Sequence, residues 1–405
     1  MNAAPFTGGR TWMIRAAAVG AIGLAATAAG GMLDGRRALF AYLAAFVYWV
    51  GIAAASMVFL MANEAAGSKW YIVVRRLLEN IPAALTVLAV LFIPIALGAG
   101  RIFPWVDPTA ATHLPVQPWA HGEGPLAIHL WEHRHPWMNL PFFLVRAVVY
   151  FAIWLGVAML LRRWSLAQDR SGAPELKLKM RRLSAGGLPF VALAITFAAF
   201  DWQMSLSAFL FSTIFGVYWF AGSFVSAIAV LILAAAAASR EEPLKSAINA
   251  NHIHSLGKYL FAFTAFWAYI AFSQYLLIWI ANLPEEVPWY LVRTNTGWKG
   301  VGIFLALFQF LLPFLILMPR ERKRSWRPVV LMSFWILAVH YVDIYWVVMP
   351  TLSPGGPSPS WMDLAAFLGV GGISVAWGVS RLRGHPILPA RDPYLADSLH
   401  YEPQQ

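Results

Sequence analysis

Three observations predict an all-α integral membrane protein. Hydrophobic residues make up 60% of the 405-residue chain and charged residues only 12%, a balance too apolar for a soluble chain of this length. Ten apolar runs of about 20 residues each are long enough to cross roughly 30 Å of hydrocarbon as helices. The runs are continuous rather than alternating, which argues against a transmembrane barrel.

The runs cover, in order, residues 12–32, 38–61, 80–99, 137–161, 185–203, 209–238, 257–282, 300–319, 328–349 and 364–380. In the first, Arg15 precedes an Ala-rich stretch ending in small residues, a pattern shared with signal peptides; its apolar run is long for that role and reads as a span. Arg36 and Arg37 separate the first run from the second, and Lys69, Arg75 and Arg76 separate the second from the third. A long segment rich in Pro, Trp and His, residues 100–136, leads to the fourth. RRWSLAQDRSGAPELKLKMRR (162–182) divides the fourth from the fifth, and RERKR (320–324) precedes the ninth.

With the N-terminus inside, the inner segments carry 23 Lys and Arg and the outer segments six; Arg146, within the fourth run, completes the 30. Basic residues concentrate on the cytoplasmic side of membrane proteins, so this asymmetry predicts a multi-pass protein with both termini in the cytoplasm. Arg36 and Arg37 are its main exception. The formal charge of +11 is explained by these loops, with no nucleic-acid partner required. The first and last spans flank eight others, which divide into two four-helix bundles, 38–203 and 209–349. The tail 384–405 is polar and Pro-punctuated and is expected to lie extended along the inner face.

An ionised side chain at mid-bilayer costs about 2.5–3.5 kcal/mol on insertion scales, so it needs a partner, a water-filled cavity or a function. VHYVDIYWVVMP (339–350) places His340 and Asp343 one helical turn apart. At 1.5 Å per residue from Arg327, they lie about 20 and 24 Å deep, in the outer half. Gln274 and Tyr275 reach a similar level, about 24–26 Å beyond Lys258. Asp201 and Trp202 end the fifth span near the outer surface. Three helices thus supply acid, amide, phenol and imidazole at one depth. A quinol, flat and apolar with two hydroxyls that shed protons as electrons leave, suits such a slot. Two structural roles compete with this reading. The His–Asp pair at i, i+3 also serves as interhelical glue, and Asp201 as a cap or water ligand. Ser205, Ser207 and Tyr218 give no separable signal.

Other constellations weigh less. The chain has no cysteine, which removes disulfides, iron–sulfur ligation and covalent c-type haem attachment. Only His340 among ten histidines lies clearly within a span, which argues against an intramembrane bis-His haem. HLWEHRHPW (129–137) puts His129 and His133 at i, i+4 beside Glu132 and His135, a possible metal set that reads better as a polar aromatic interface loop. His252, His254 and Lys258 read as interfacial anchors. Glu285 and Glu286 with Arg293 read as a solvated or ion-paired outer loop. Glu64 and Glu79 with Lys69, Arg75 and Arg76 read as an inner ion-pair cluster.

FDWQMSLSAFLFSTIFGVYWFAGSF (200–224), FAFTAFWAYIAFSQYLLIWIANLPEE (261–286) and VHYVDIYWVVMP (339–350) resemble the second quinone-binding membrane subunit of bacterial alternative complex III. That complex is a quinol:cytochrome c (or other periplasmic acceptor) oxidoreductase. The resemblance is strong over 185–350 and weak in the first half. SLGK (255–258) departs from the family, which carries an acid before LGK. The resemblance implies an NrfD-like fold, that of the membrane subunit of polysulfide reductase: two four-helix bundles between two flanking helices. It implies an inner-membrane complex with a second NrfD-like subunit, an iron–sulfur subunit and multihaem cytochrome c subunits, and no haem or cluster in this chain. The expected activity is quinol docking in the outer half, with His340 or Asp343 accepting a proton and Asp201 assisting its exit. Gln274, Tyr275 and Trp202 would contact the ring. The alternative is a proton-conducting or purely structural subunit of the same complex.

Overall fold

A computed structural model describes residues 5–107 and 123–402. Among the described residues it is all-helical, with one isolated bridge between Pro5 and Pro386, and ten helices are long and apolar enough to cross a membrane. They are α1 (Arg10–Leu33), α2 (Gly35–Ala66), α3 (Ile72–Leu97), α4 (Leu140–Ser171), α5 (Pro174–Leu206), α6 (Phe215–Ala238), α7 (Ala250–Ala281), α8 (Trp298–Leu317), α9 (Trp326–Thr351) and α10 (Trp361–Leu382). The protein is an all-α, multi-pass membrane protein.

Local sequence sets the ends. The Asp34 carboxylate accepts from the Arg37 amide at the start of α2, and Asn139 caps α4 in the same way. Asn249 with His252, and Ser360 with Asp363, form reciprocal capping boxes on α7 and α10. Gly67 and Gly172 end α2 and α4 in the left-handed conformation that glycine adopts without steric cost. Several helices start earlier than their apolar runs: α3 at Ile72 rather than 80, α5 at Pro174 rather than 185, α7 at Ala250 rather than 257. Hydropathy marks only the hydrocarbon-spanning part, whereas Lys, Arg and Glu are good helix formers and continue each helix through the interface.

The helices pack as two four-membered rings. In the first, α2, α3, α4 and α5 each touch the next and α5 closes on α2; in the second, α6, α7, α8 and α9 do the same and α9 closes on α6. The rings meet where α2 packs against α6 and α9, and α5 against α6. α2 is the hub: 89% of its most apolar window is buried inside the protein. α1 touches chiefly α10, which lies against α2 and α3. Trp12, Ile22 and Met32 of α1 and Leu364 of α10 stay exposed, a surface suited to lipid.

The tail is more than an extended inner strand. Its Asp392 carboxylate is buried against Arg75 and Lys177, and Ser398 accepts from the Val73 amide and donates to the Trp70 carbonyl. The Ser398 carbonyl meets His252 Nε2 at 3.0 Å. The tail therefore binds both rings at the end where α2 and α4 finish and α7 begins.

Candidate functional site

α9 carries His340 and Asp343 one turn apart, both buried, with His340 Nδ1 at 3.3 Å from Asp343 Oδ2. Tyr218 of α6 donates its phenol to the other carboxylate oxygen, Oδ1. One turn further along α6, Gly222 admits the imidazole: a Cβ there would lie 2.5 Å from His340 Cε1. Tyr48 of the hub helix lies against the ring, centroids 5.4 Å apart, and donates its hydroxyl to the Leu337 carbonyl. The acid, base and phenol thus sit where α2, α6 and α9 meet.

A cavity of about 550 Å³ opens on the other side of Tyr218. Its walls come from α6, α7, α8, α9 and the short helix Val287–Asn295. Trp267, Phe272, Phe310 and Trp346 make it mainly aromatic; Tyr218, Gln274, Tyr290 and Arg293 supply polar groups. Phe272 of α7 and Ile303 of α8 are exposed on the outside of the protein, so the cavity adjoins the bilayer-facing surface between those helices. Gln274 is held at both ends of its amide, accepting from Ser212 Oγ at 3.0 Å and donating to the Tyr290 hydroxyl at 3.2 Å. Tyr275 sits at the rim, its ring edge-on to Tyr290 at 5.2 Å.

Arg293 is not the solvated loop cation expected beside Glu285 and Glu286. It is 3% exposed, because the segment after α7 forms a helix that folds it inward. Burial pushes its guanidinium down to about 9, with the neighbouring Tyr290 and Tyr218 phenols acting in the opposite sense. Burial also pushes the Tyr290 phenol up.

The structure gathers His340 and Asp343, and brings Gln274 and Tyr275 to the cavity that Tyr218 links to them. Asp201 and Trp202 stand elsewhere, which corrects the expected shared pocket. α5 belongs to the first ring, where Arg146 of α4 holds the Asp201 carboxylate with two hydrogen bonds and Tyr150 adds a third at 2.7 Å. Trp202 fills the core of the same ring against Phe46, Phe92 and Trp154. Equal depth suggested that Asp201 stands beside His340; opposite rings separate them.

The ion cluster around Glu64 and Glu79 is larger than its sequence signal. Glu64 accepts from Tyr71 and from Lys177 Nζ at 2.9 Å; Glu79 lies 3.1 Å from Arg75 Nε and 2.7 Å from Arg76 Nη1; Asp169 and Asp392 complete it. Lys69, expected within it, instead pairs with Asp397 in the open at 2.9 Å. Among the described residues no group of three or more His, Asp or Glu is placed to hold a metal ion. His113 and His121 of the outer loop lie outside the described residues.

The places of Tyr218 and Tyr290 at the cavity and of Arg146 beside Asp201 have no signal in the sequence. A tyrosine in an apolar helix carries no signal of its own, and Arg146 was visible as a charge within a span but not as the partner of Asp201. No protein-family profile matches this sequence, and no curated protein matches it.

Proposed function

We propose that this chain is the quinol-docking membrane subunit of a quinol:cytochrome c (or other periplasmic acceptor) oxidoreductase of the alternative complex III kind, NrfD-like in fold. The observation that carries the reading is that Tyr218 forms the wall of the aromatic cavity and donates to the buried Asp343. The volume of about 550 Å³ lies within the ordinary range for small-molecule sites, about 300–1,000 Å³. Its few polar groups suit a ring with oxygens at its ends.

In this reading quinol enters from the bilayer between α7 and α8. Its oxidation releases two electrons and two protons. The electrons would pass to redox centres on the partner subunits that the resemblance implies; with no cysteine, this chain cannot itself hold an iron–sulfur cluster by thiolates. A hydroxyl proton passes to Tyr218 as Tyr218 hands its own to Asp343, and His340 beside Asp343 holds or forwards the charge. The basic inner segments support a bacterial cytoplasmic membrane with both termini in the cytoplasm, and with it a cavity in the outer half.

The test is His340→Ala in the assembled complex, together with lipid extraction of the purified subunit. Stoichiometric quinone in the extract and a fall in quinol oxidation of about 100-fold, the lower range for loss of a general base, are expected. Unchanged oxidation and proton release, with no quinone in the extract, would leave a structural or proton-conducting subunit.

A further inference from the structure

Among the described residues, Arg293 is a buried cation without a carboxylate counter-ion. Its Nη1 donates to the Trp289 carbonyl at 2.8 Å and its Nη2 to the Val347 carbonyl at 2.9 Å. The guanidinium carbon lies 3.4 Å from the centre of the Trp289 ring and 5.0 Å from that of Trp346. Among the described residues it makes no ion pair with an acid, and its buried Nε has no hydrogen-bond partner. Arg146 shows the contrast: it is equally buried, but a carboxylate answers it in two places.

Position makes the difference meaningful. Arg293 borders the aromatic cavity on one side and, on the other, a smaller cleft of about 150 Å³ walled by Trp131, Ser207 and Pro354. Two carbonyl dipoles and two ring faces offset only part of the cost of desolvating a cation. An occupant that brings oxygen lone pairs or negative charge to that wall recovers the rest. The groups facing this end of the cavity are Tyr218 from α6, Tyr275 from α7, Tyr290 from its own helix and Lys299 from α8, with Asp343 and His340 of α9 behind Tyr218. Those lining it are phenols and cations; the carboxylate stands behind one phenol.

We propose that Arg293 is the oxygen-holding residue of the cavity, orienting the ring and stabilising the quinolate formed at the first deprotonation. This rests on the quinol reading above. The step moves one proton and no electron. The quinol O–H bond breaks and an O–H bond forms on Tyr218; the former Tyr218 proton forms the acid of Asp343. The quinol oxygen is left anionic beside the guanidinium, and a fixed cation next to a nascent anion favours the ionised form.

The probe is a 2-hydroxy-1,4-naphthoquinone bearing an alkyl tail, whose ring hydroxyl ionises, compared with its methyl ether, which stays neutral. Binding is measured to the full chain in lipid nanodiscs. The ionised ring is expected to bind the wild-type chain at least ten times more tightly than the ether. Arg293→Gln should abolish that preference while keeping ether affinity within about threefold, and Arg293→Lys should retain part of it. Should Arg293→Gln not fold, a pH series on the wild type decides: affinity for the hydroxy compound rises as it ionises while that for the ether stays flat. Equal binding of the two rings, weakening on ionisation, or a preference that survives in Arg293→Gln overturns the assignment to Arg293. Failure of the wild type to bind either ring at any pH overturns the quinol reading itself, and the two failures are thereby distinct.

Discussion

Arg146 grips Asp201 in a two-pronged pair, Nε to Oδ2 at 2.8 Å and Nη2 to Oδ1 at 2.7 Å. Its remaining nitrogen, Nη1, donates to the Trp137 carbonyl at 2.8 Å, and the guanidinium lies over the Trp137 and Phe142 rings. The pair joins α4 to α5 and, through Trp137, anchors the end of the segment that precedes α4. Both charges are satisfied inside the first ring, away from His340 and Asp343.

Removing one partner leaves the other buried and unpaired, a loss of about 3–5 kcal/mol. Arg146→Ala and Asp201→Asn are each expected to lower the thermal midpoint and the yield of monodisperse protein. The double variant Arg146→Gln/Asp201→Asn should be more stable than the sum of the two losses, because it strands no charge. Size-exclusion chromatography with a heating series checks this. A single variant as stable as the wild type would show that the pair contributes nothing.

How far the sequence reaches is clear from these residues. The spans are legible because hydrocarbon thickness acts on composition alone. His340 and Asp343 were legible because charge in an apolar run is costly. Relative height along a helix follows from 1.5 Å per residue. Azimuth does not: Asp201 faces the interior of the first ring, whereas His340 sits where α2, α6 and α9 meet. The short helix that buries Arg293 was hidden by its charged flank Glu285–Glu286, and the insertion of Asp392 into the inner cluster by a tail whose composition is that of a solvated segment.

Asp392 gives the Arg75–Lys177 ion cluster a dependence on acidity. Burial alone would push its carboxyl up, but Arg75 and Lys177 overcome that and hold it below the usual carboxylate range. A depressed acid contributes stability that is fully present above the unfolded value of about 3.9 and is lost as pH falls through the lower folded value. Wild type should therefore exceed Asp392→Asn by about 1.5–3 kcal/mol, the range for a hydrogen bond to a charged group, between pH 5 and 7. The gap should close below about pH 4. Thermal midpoints of both proteins across that range test the sign. A gap that widens on acidification would contradict it.

The attachment of α1 depends on glycine. A Cβ at Gly23 would lie 2.5 Å from the Gly369 amide nitrogen and 2.6 Å from the Ala365 carbonyl oxygen, and one at Gly372 would lie 2.6 Å from the Ala16 carbonyl oxygen. The two backbones touch, so dispersion between them replaces side-chain interdigitation as the force that holds α1. Gly23→Ile is expected to detach α1 from α10 while leaving both rings folded. The chain has no cysteine, so nitroxide labels on Met32→Cys and Leu364→Cys report this pair alone. A single short distance should become longer and broader in Gly23→Ile. An unchanged distance distribution would mean that the contact yields without separating.

Orientation decides the side to which protons would be released, and it too is open to a direct test. Ser246 lies exposed between α6 and α7, and Glu285 lies exposed between α7 and α8, at opposite ends of α7. The excess of Lys and Arg on the Ser246 side is the reason to expect that side in the cytoplasm. A membrane-impermeant maleimide applied to intact spheroplasts should label Glu285→Cys and leave Ser246→Cys unlabelled until the membrane is opened. Both positions lie away from the buried pairs described above, so neither substitution should disturb the fold. The cavity walled by Tyr218, Gln274 and Arg293 lies toward the Glu285 end of α7, because Gln274 and Tyr275 belong to its last two turns. Labelling of Ser246→Cys in intact cells would put the cavity in the inner leaflet and reverse the direction proposed for proton transfer through Tyr218 and Asp343.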